Sequence, residues 1–594
     1  MSRGRWIIVL AGALLAVGAG LWLLDRTIEG VLLTQIDAYL RARTLALMHS
    51  EEGNALAVEL PSLDLSLVRR RLVLRNVRIK YLLNQAQRTQ EFDGAAPTIT
   101  ITGVDLSDAI WHRSLRLNGV TIDDAVLRHV DGAPPDSATQ PRADADTLPL
   151  TLPAADSLLY GVVENWLPEA VRGGRIGTVR VNNATISSTQ VRGQLVTVDS
   201  SSRLSLTMRG LQLDSARHRI FERANLTLGV FVHAGPDGED SLLVRAAEVT
   251  VTPDDTAFSI TEMRTGPMAG RHSLDVHGIR RSHARRMLTI DSLHYAPTTP
   301  DSTFFRTAPP RSTRIRLETT DIKVLGLKQE NIRRRRVTAG AAWITYANLD
   351  VLADRRGPGA TKRRGPGPSR RQLLWPARLA ALNWVIGTDS ALIDSATIRY
   401  AEWLHGETRP ASVLFDQMRI RLLRATNDST VPDSQPLVLE GRGRLLGEAP
   451  FSATLRVHVS DGPLRMRMDG EVGPMALERV NSWSLPGSGI EVTGGQLDSS
   501  RFWFETARGR SRGRFRAQWH DLDLRMVDPV TGKQSLGQKL KSIVARTISR
   551  NDNMPDDDGK LAGARIDYEV RPTDTFWGLV WRSLRSGLMR TVKG

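Results

Sequence analysis

From about residue 61 onward, apolar and polar side chains alternate along the chain with a period of two. Valine, leucine, isoleucine and threonine take one set of positions, and arginine, serine, aspartate and asparagine take the other, in stretches such as LSLVRRRLVL, RLSLTM and RMRM. This alternation is typical of β-strands with one buried and one solvated face. It continues for more than 450 residues without the alternating helical runs that an α/β domain would need. The pattern therefore predicts a mainly β protein dominated by one extended sheet.

A unit of eight residues recurs in this stretch, with apolar residues at positions one, three, six and eight and Asn, Gly, Ser or Asp at position five. Because its two halves are out of phase by one residue, a straight strand would turn the second half outward. A β-bulge restores one apolar face, and Gly or Asn tolerates the left-handed backbone that some bulges need. A two-residue hairpin turn, for example at Asn118-Gly119, would also fit. The units lie at 72–79, 99–106, 115–122, 179–186, 206–213, 288–295, 344–351, 391–398 and 517–524.

Residues 1–25 predict a cytoplasmic stub and a transmembrane anchor. Residues 6–24 carry no charged side chain, and these 19 residues would span roughly 28 Å as a helix. Trp6, Leu10, Leu14 and Trp22 belong to this anchor, and the two tryptophans lie near its ends, where their rings favour the membrane interface. Two arginines precede the run, so the positive-inside rule places the N-terminus in the cytoplasm. A cleaved signal peptide is the alternative, because small residues lie within the run. Residues 26–60 have helical spacing and predict a helical connector.

Three segments interrupt the predicted sheet, which extends over residues 61–530. Residues 131–156 are rich in Pro, Ala and Asp, residues 296–311 contain four prolines, and residues 353–373 are rich in Gly, Pro and basic side chains. Such compositions are typical of long loops. Because the β pattern resumes after each of them, they are interpreted as insertions in the sheet.

The C-terminal residues 531–594 predict helices and a final strand. Residues 533–550 and 575–592 both have apolar side chains at helical spacing. On the second helix, an apolar stripe lies opposite basic residues and consists of Trp577, Val580, Trp581, Leu584 and Leu588. This helix could lie in a membrane interface with its tryptophans as anchors. It could also cap the end of the sheet with its apolar stripe buried, which is the arrangement we expect, and the two arrangements are compatible.

Charge and composition narrow the range of partners. The 594 residues carry a formal net charge of +16, and nine of the 80 basic residues are lysines. A basic chain suits a polyanion, either nucleic acid or an anionic membrane. An aromatic content of only 5% disfavours a base-stacking platform, and export across a membrane disfavours nucleic acid in general. We therefore expect no nucleic-acid partner.

The sequence offers little chemistry. It has no cysteine, which excludes disulfides, cysteine-ligated zinc, thiolate nucleophiles and iron–sulfur clusters. It contains neither HExxH nor a P-loop. The densest histidines, His272, His277 and His283, are spaced by five and six residues, which matches no ligand set, so we expect them at the surface. We expect no enzyme activity, no cofactor and no metal site.

Two stretches resemble the AsmA-like proteins of Gram-negative envelopes. Residues 60–79 (LPSLDLSLVRRRLVLRNVRI), which follow the anchor and connector, resemble the N-terminal part of that family. Residues 489–528 resemble its C-terminal pattern, with Trp519-His520-Asp521-Leu522 at the position of the family's closing motif. The final FWGLVWRSLRSGL at 576–588 resembles the terminal helix of the DUF748-type branch. These matches bracket the chain, and the middle fits by pattern alone.

The resemblance implies a long curved, mostly antiparallel β-sheet that forms an elongated apolar groove, as in the repeating β-groove proteins. It implies a single-pass protein of the bacterial inner membrane, with most of its mass in the periplasm, that binds and conducts phospholipid between membranes or supports outer-membrane homeostasis. Its partners would be phospholipid acyl chains, the inner membrane and a periplasmic or outer-membrane protein. The alternative is a non-enzymatic scaffold that assembles outer-membrane proteins by strand addition. The candidate groove-lining residues are Leu72, Leu74, Val77, Ile79, Leu115, Leu117, Ile122, Val179, Val181 and Ile186.

Overall fold

The structure, a computed structural model, describes residues 55–59, 62–66, 69–85, 88–104, 114–132, 173–192, 195–212, 221–235, 241–252, 256–268, 271–282, 286–309, 312–327, 336–356, 384–403, 409–428, 435–459, 464–527, 550–558, 561–571, 574 and 576–593. The predicted anchor with Trp6, Leu10, Leu14 and Trp22 lies outside these residues, as do most of the predicted connector and all but the last residue of the predicted helix at 533–550. Among the described residues, no helix combines the length and the apolar character needed to cross a membrane.

The chain is mainly β and mostly antiparallel, as the alternation predicts, and it divides into two compact units near residue 270. The first unit consists of strands joined mainly as antiparallel neighbours. Its strands are β1 (Ala55–Glu59), β2 (Ser62–Ser66), β3 (Arg71–Gln85), β4 (Arg88–Thr102), β5 (Ser114–Asp123), β6 (Val126–Gly132), β7 (Gly173–Arg192), β8 (Leu195–Gln212), β9 (Arg223–Ala234), β10 (Ser241–Val251) and β11 (Thr256–Met268).

The second unit adds helices to its strands. Its strands are β12 (His272–Ser282), β13 (Met287–Pro297), β14 (Thr313–Leu325), β15 (Arg336–Asp354), β16 (Val385–Trp403), β17 (Ala411–Thr426), β18 (Leu437–Leu445), β19 (Ala449–Val457), β20 (Met466–Val472), β21 (Met475–Ala476), β22 (Ile490–Ala507), β23 (Arg510–Met526) and β24 (Gly563–Glu569). Its helices are α1 (Asp301–Thr307), α2 (Asn481–Ser488), which follows a 3-10 turn at Leu477–Val480, and α3 (Phe576–Lys593).

Two of the predicted insertions belong to crossover connections. The strands β5 and β6 lie between β4 and β7, and their pairing with β7 is parallel. The pair β15 and β16 is parallel as well. Parallel neighbours need a connection of about a dozen residues or more, whereas antiparallel neighbours can be joined by a tight turn. Residues 133–172 and 357–383 lie in these two connections and contain most of the predicted loops at 131–156 and 353–373.

The structure differs from the sequence-based expectation at two places. Residues 55–59, the end of the predicted helical connector, form β1 and pair with β3. The reason is that β3 extends beyond its pairing with β2 and offers backbone partners that the connector residues can take. The predicted loop at 296–311 contains the short helix α1, whose Phe304 is buried.

Left-handed residues line up across the first unit. Asn76 in β3, Asn183 in β7, Arg203 in β8 and Ala246 in β10 have φ angles from 47 to 55°. The strand registers place them in one line across the sheet, together with Asp124 between β5 and β6. We call this the kink line. A left-handed residue inverts the in–out alternation of a strand, so the apolar residues before and after the line share one face.

The bulge interpretation holds for five of the nine recurring eight-residue units. Their fifth position is left-handed at Asn76 and Asn183 on the kink line, and at Gly103, Gly210 and Asp521 elsewhere. In the other four units the fifth position is not left-handed, namely at Gly119, Ser292, Asn348 and Ser395. The hairpin alternative at Asn118-Gly119 is wrong. Both residues lie inside β5, which continues through them because Leu117 and Gly119 keep parallel partners on β7.

The kink line predicts opposite effects of glycine at two adjacent alanines. Ala246 has φ 47° and is exposed, so Ala246→Gly relieves left-handed strain without removing packing. We expect a gain of about 0.5–1 kcal/mol in the free energy of unfolding, after the entropic cost of glycine is subtracted. Ala247→Gly, in extended backbone, should lose about 0.5–1 kcal/mol. Urea unfolding of both variants measures the difference, and destabilisation by Ala246→Gly would contradict the strain at this position.

Candidate functional site

Apolar side chains form rows that cross the first unit's sheet at right angles to its strands. Within rows 1 and 2 every residue is apolar and pairs with the next through the ladder register. Row 1 contains Leu65, Leu72, Ile101, Val120, Val179, Met208, Ala224 and Val251. Row 2 contains Leu63, Leu74, Ile99, Ile122, Val181, Leu206, Leu226, Val249 and Phe258.

A third row lies across the kink line on the same face. Row 3 contains Ile79, Gly94, Leu127, Ile186, Ser201, Phe231, Val244 and Met263. Because the kink line inverts the alternation of the strands, row 3 continues the apolar face of rows 1 and 2. We call the surface made by the three rows the apolar face.

The apolar face contains seven of the ten candidate groove-lining residues: Leu72 and Val179 in row 1, Leu74, Ile122 and Val181 in row 2, and Ile79 and Ile186 in row 3. Val77 lies beside the kink line, where it pairs with Ala96 and both are buried. Leu117 pairs with Ile176 and Leu115 with Gly174, toward the start of β5. The structure therefore brings residues from distant parts of the sequence side by side.

No layer covers the apolar face among the described residues. All nine side chains of row 2 are half-buried, although their neighbours flank them on both sides. Leu127 and Ile186 in row 3 are 40% and 36% exposed. The helices that the structure describes and its clusters of fully buried apolar side chains all belong to the second unit. A face of this kind leaves apolar surface in water and is typical of a surface that meets a ligand or partner.

The second unit has a similar row but covers part of it. Its row runs through Leu288, Val324, Ala342, Ala391, Leu422, Leu439, Leu455, Met468 and Phe504. At the far end, Phe504 is fully buried in a cluster that includes Leu579 and Val580 of α3. The C-terminal helix therefore packs on the sheet where the expectation of a cap places it.

Of the stripe predicted on α3, Val580 is buried, and each of the other four positions lies one residue away from a buried one. Phe576, Leu579 and Ser583 are buried, whereas Trp577 is 58% and Trp581 38% exposed. Leu584 and Leu588 are partly buried and pack against the cluster. The reason is that small residues set the contact: a Cβ at Gly587 would lie 2.7 Å from Phe515 Cβ and 2.9 Å from Ile566 Cγ1. The same helix thus buries one edge and exposes two tryptophans.

A polar row borders row 3, and no local sequence pattern predicts it. His129, Ser188, Asp199 and His233 are consecutive cross-strand partners on β6, β7, β8 and β9. His129 Nδ1 lies 3.1 Å from Ser188 Oγ, and His233 Nδ1 lies 2.6 Å from Asp199 Oδ1. His129 and Ser188 are 59 positions apart in the chain, and Asp199 and His233 are 34 apart, so the strand registers bring these pairs together.

Catalytic chemistry finds no support in the described residues. Residues 509–513 read GRSRG and match the letters of a nucleophile elbow. However, Ser511 is fully buried inside β23, and its hydroxyl is hydrogen-bonded to Thr506 at 2.8 Å. A nucleophile needs an exposed turn and a nearby base. Across the residues that the structure describes, no set of three or more metal-ligating side chains lies close enough to hold a metal ion.

His272 lies inside the second unit, so its predicted surface position is wrong. It is 9% exposed, stacks on Tyr295 at 4.9 Å and meets the edge of Phe304 at 5.4 Å. The helix α1 causes this, because it carries Phe304 onto the ring. Burial lowers the pKa of His272 below its usual 6.5, and the charges of Arg271 and Arg314 lower it further. His277, by contrast, is exposed as expected.

Two substitutions in α3 test whether this helix packs on the sheet or lies loosely at the surface. Leu579 is fully buried, so Leu579→Ala should cost about 2–5 kcal/mol of unfolding free energy. Trp577→Ala removes a larger side chain that is 58% exposed, and we expect a cost below about 1 kcal/mol. Chemical unfolding, with hydrogen exchange of the helix amides, measures both. Equal costs would mean that α3 does not pack as described.

The buried His272 predicts a pH dependence with a defined sign. The neutral ring is favoured in the folded protein, while the unfolded chain binds a proton near pH 6.5. The stability that depends on this ring is therefore present above pH 6.5 and is lost as the pH falls toward the lowered pKa. We expect the stability difference between the protein and His272→Gln to shrink from pH 7 to pH 5 in urea unfolding. The matched change His277→Gln, at an exposed site, is the control for replacing a histidine by glutamine in the same strand.

No family model matches the chain, and no curated protein is significantly similar to it. The AsmA-like resemblance therefore stays a prediction from short motifs. Function has to be inferred from the geometry of the apolar face and its surroundings.

Proposed function

We propose that the chain is an inner-membrane-anchored protein of the bacterial envelope that binds phospholipid acyl chains on its apolar face and conducts them between membranes. In this proposal the face is the wall of an apolar groove. Residues 6–24 form the single-pass anchor, the N-terminus is cytoplasmic, and the body of the protein is periplasmic. A periplasmic or outer-membrane protein receives the lipid, and the process supports outer-membrane homeostasis.

The observation that carries the proposal is row 2. It presents nine apolar side chains from nine strands in one line, and each of them is half-buried. Acyl chains are the natural cover for such a line, since each methylene moved from water to apolar surroundings gains about 0.8 kcal/mol. Transfer along the face breaks no covalent bond, so the proposal requires no catalytic residue and no cofactor.

The membrane side of the proposal has support from charge and from α3. The chain carries a net charge of +16, which favours the neighbourhood of anionic lipid headgroups. Trp577 is 58% exposed on the outer side of α3, and Trp581 is 38% exposed although its ring meets Trp483 edge to face at 5.4 Å. Tryptophan favours the boundary between headgroups and acyl chains. These features suit a protein that works beside membranes.

The alternative is a non-enzymatic scaffold that binds β-rich clients by strand addition. This function needs a long exposed strand edge. In the first unit, β1 and β2 each have five residues and both pair with β3. Short edge strands are one of the ways in which natural sheets prevent edge-to-edge association. The geometry therefore favours lipid on the face over a client strand at this edge.

A pair of glutamate substitutions on one strand tests the proposal. Leu206 lies in row 2 between Val181 and Leu226, whereas the next residue, Thr207, faces the other side between Arg180 and Asn225. Both changes to Glu add one negative charge to β8. In vesicle-to-vesicle transfer by the full-length chain, Leu206→Glu should lower the rate about tenfold or more, because a carboxylate would be buried among acyl chains. Thr207→Glu should leave the rate nearly unchanged.

A photo-crosslinking residue at the same two positions tests the face without adding a charge that could disturb folding. At position 206 it should attach to phospholipid in membranes, and at position 207 it should not. Equal labelling at both positions, or crosslinks to a protein strand in place of lipid, would reject the lipid-binding face and select the scaffold.

A further inference from the structure

The polar row forms a boundary at one side of the apolar face. It lies two residues beyond row 3 on the same strands, which is about 6.7 Å. From Leu72 in row 1 to Ile79 in row 3, the apolar face extends over seven residues of β3, or about 23 Å. One leaflet's share of the hydrocarbon core is about 15 Å. An acyl chain laid along the strands therefore fits within the three rows and brings its headgroup to the polar row.

The polar row offers hydrogen-bonding groups of opposite kinds at its two ends. The carboxylate of Asp199 accepts a hydrogen bond from His233 Nδ1–H, which leaves Asp199 Oδ2 able to accept another. At the other end, the ring of His129 stacks on Phe92 with the centroids 4.4 Å apart. Its Nε2 is buried and has no hydrogen-bond partner among the described residues. When the Ser188 hydroxyl donates to Nδ1, Nε2 carries the proton and becomes a donor.

The charges around this row are unusual for the chain. The neighbouring row on the same face contains Gln90, Asp131, Gln190 and Thr197. These two rows hold two carboxylates, Asp131 and Asp199, and no arginine or lysine, although basic residues are abundant elsewhere. Arg128 lies on the opposite face of β6, where it pairs with Asp93. The arginines of this face, Arg88 and Arg192, lie one row further out. Within the two rows a cationic group would be attracted by the carboxylates, and a headgroup with only negative charge would be repelled by them.

We propose that the polar row recognises the zwitterionic headgroup of an ethanolamine phospholipid. Asp199, whose side chain is 32% exposed, holds the ammonium group, and Ser188 and the ring of His129 border the phosphate at the other end of the row. Neighbouring strands are about 4.8 Å apart, so the Cα atoms of residues on β6 and β8 are separated by about 10 Å, which leaves space for a phosphate and an ammonium group between the two side chains. This inference rests on the proposed lipid-binding function and adds a headgroup preference to it.

The test measures which lipids the full-length chain retains. The protein in mild detergent is incubated with equal amounts of phosphatidylethanolamine and phosphatidylglycerol that have the same acyl chains, and bound lipid is counted by mass spectrometry. The amount of lipid retained by the Leu206→Glu variant is subtracted, because that lipid is bound around the membrane anchor and not on the apolar face. We expect an enrichment of phosphatidylethanolamine of roughly fivefold, because an ammonium–carboxylate hydrogen bond is exchanged for repulsion.

Asp199→Asn keeps the shape and the acceptor for His233 but removes the charge, so the enrichment should fall toward one while the total lipid stays the same. The matched change Asp93→Asn, on the opposite face, should keep the enrichment. His129→Phe keeps the stacking on Phe92 but removes the polar atoms of the ring, and it should weaken retention of both lipids without changing their ratio. Free glycerophosphoethanolamine, which has the headgroup without acyl chains, should not displace the lipid.

The outcomes separate this inference from the proposed function. Retained lipid without enrichment, or enrichment that survives Asp199→Asn, overturns the headgroup site but leaves the lipid-binding face. Displacement by glycerophosphoethanolamine also overturns the inference, since the row would then be a site for a soluble ligand. If the protein retains no lipid above the Leu206→Glu variant, the proposed function itself fails.

Discussion

Everything on the apolar face depends on inverting the in–out alternation of a strand without breaking its pairing. A strand of 15 or 20 residues such as β3 or β7 that follows strict alternation would send the apolar side chains of one half into water. A left-handed non-glycine residue costs about 1–2 kcal/mol. It returns two or three apolar side chains to the common face, each worth about 1.5–3 kcal/mol when fully buried. The free energy gained by burying these side chains exceeds the cost of the left-handed residue, even when the burial is only partial. This explains why Ala246 adopts φ 47°, since Val244 and Leu242 beyond it lie on the common face. The inversion at Arg203 brings Ser201 and Asp199 to that face and keeps β8 in step with the kinks of its neighbours. Because the kinks are aligned from strand to strand, the ladder tolerates them with few changes of register.

The same one-sided sheet is used in two ways along the chain. In the second unit, α3 covers the end of the apolar row, and small residues at Ser583 and Gly587 let the helix approach Phe515 and Ile566 closely. In the first unit, no described helix plays this part, and row 2 stays half-buried throughout. The alternation of side chains is the same in both. What differs is the availability of an amphipathic helix with a smooth face, which is a property of the C-terminal sequence and not of the strands.

The local sequence predicts the strands and the kinks, but it does not predict which strands pair with each other. The alternation predicts the β content, and Asn76 and Asn183 mark the kinks because they tolerate left-handed backbone. The parallel pairs β6–β7 and β15–β16 depend on long crossovers and leave no local signal. The polar row is hidden for the same reason: His129 and Ser188 meet only through a parallel register across 59 residues. On α3, most of the predicted apolar stripe lies one position from the buried one, because small residues such as Ser583 and Gly587 allow the close contact, and a packed helix face needs small residues as much as large ones.

The direction of easy movement follows from the arrangement of the rows. Along row 2, an acyl chain meets Leu, Ile, Val or Phe on every strand, at steps of about 4.8 Å, so neighbouring positions are nearly equal in energy. Along the strands, the same chain crosses the kink line and then reaches His129 and Asp199, where apolar contact is replaced by polar groups. In the proposed function, a lipid would therefore be held in place along the strands and would be free to move across them. A smooth row bounded by a polar one would confine such a lipid in one direction and guide it in the other, as conduction over a rigid face requires.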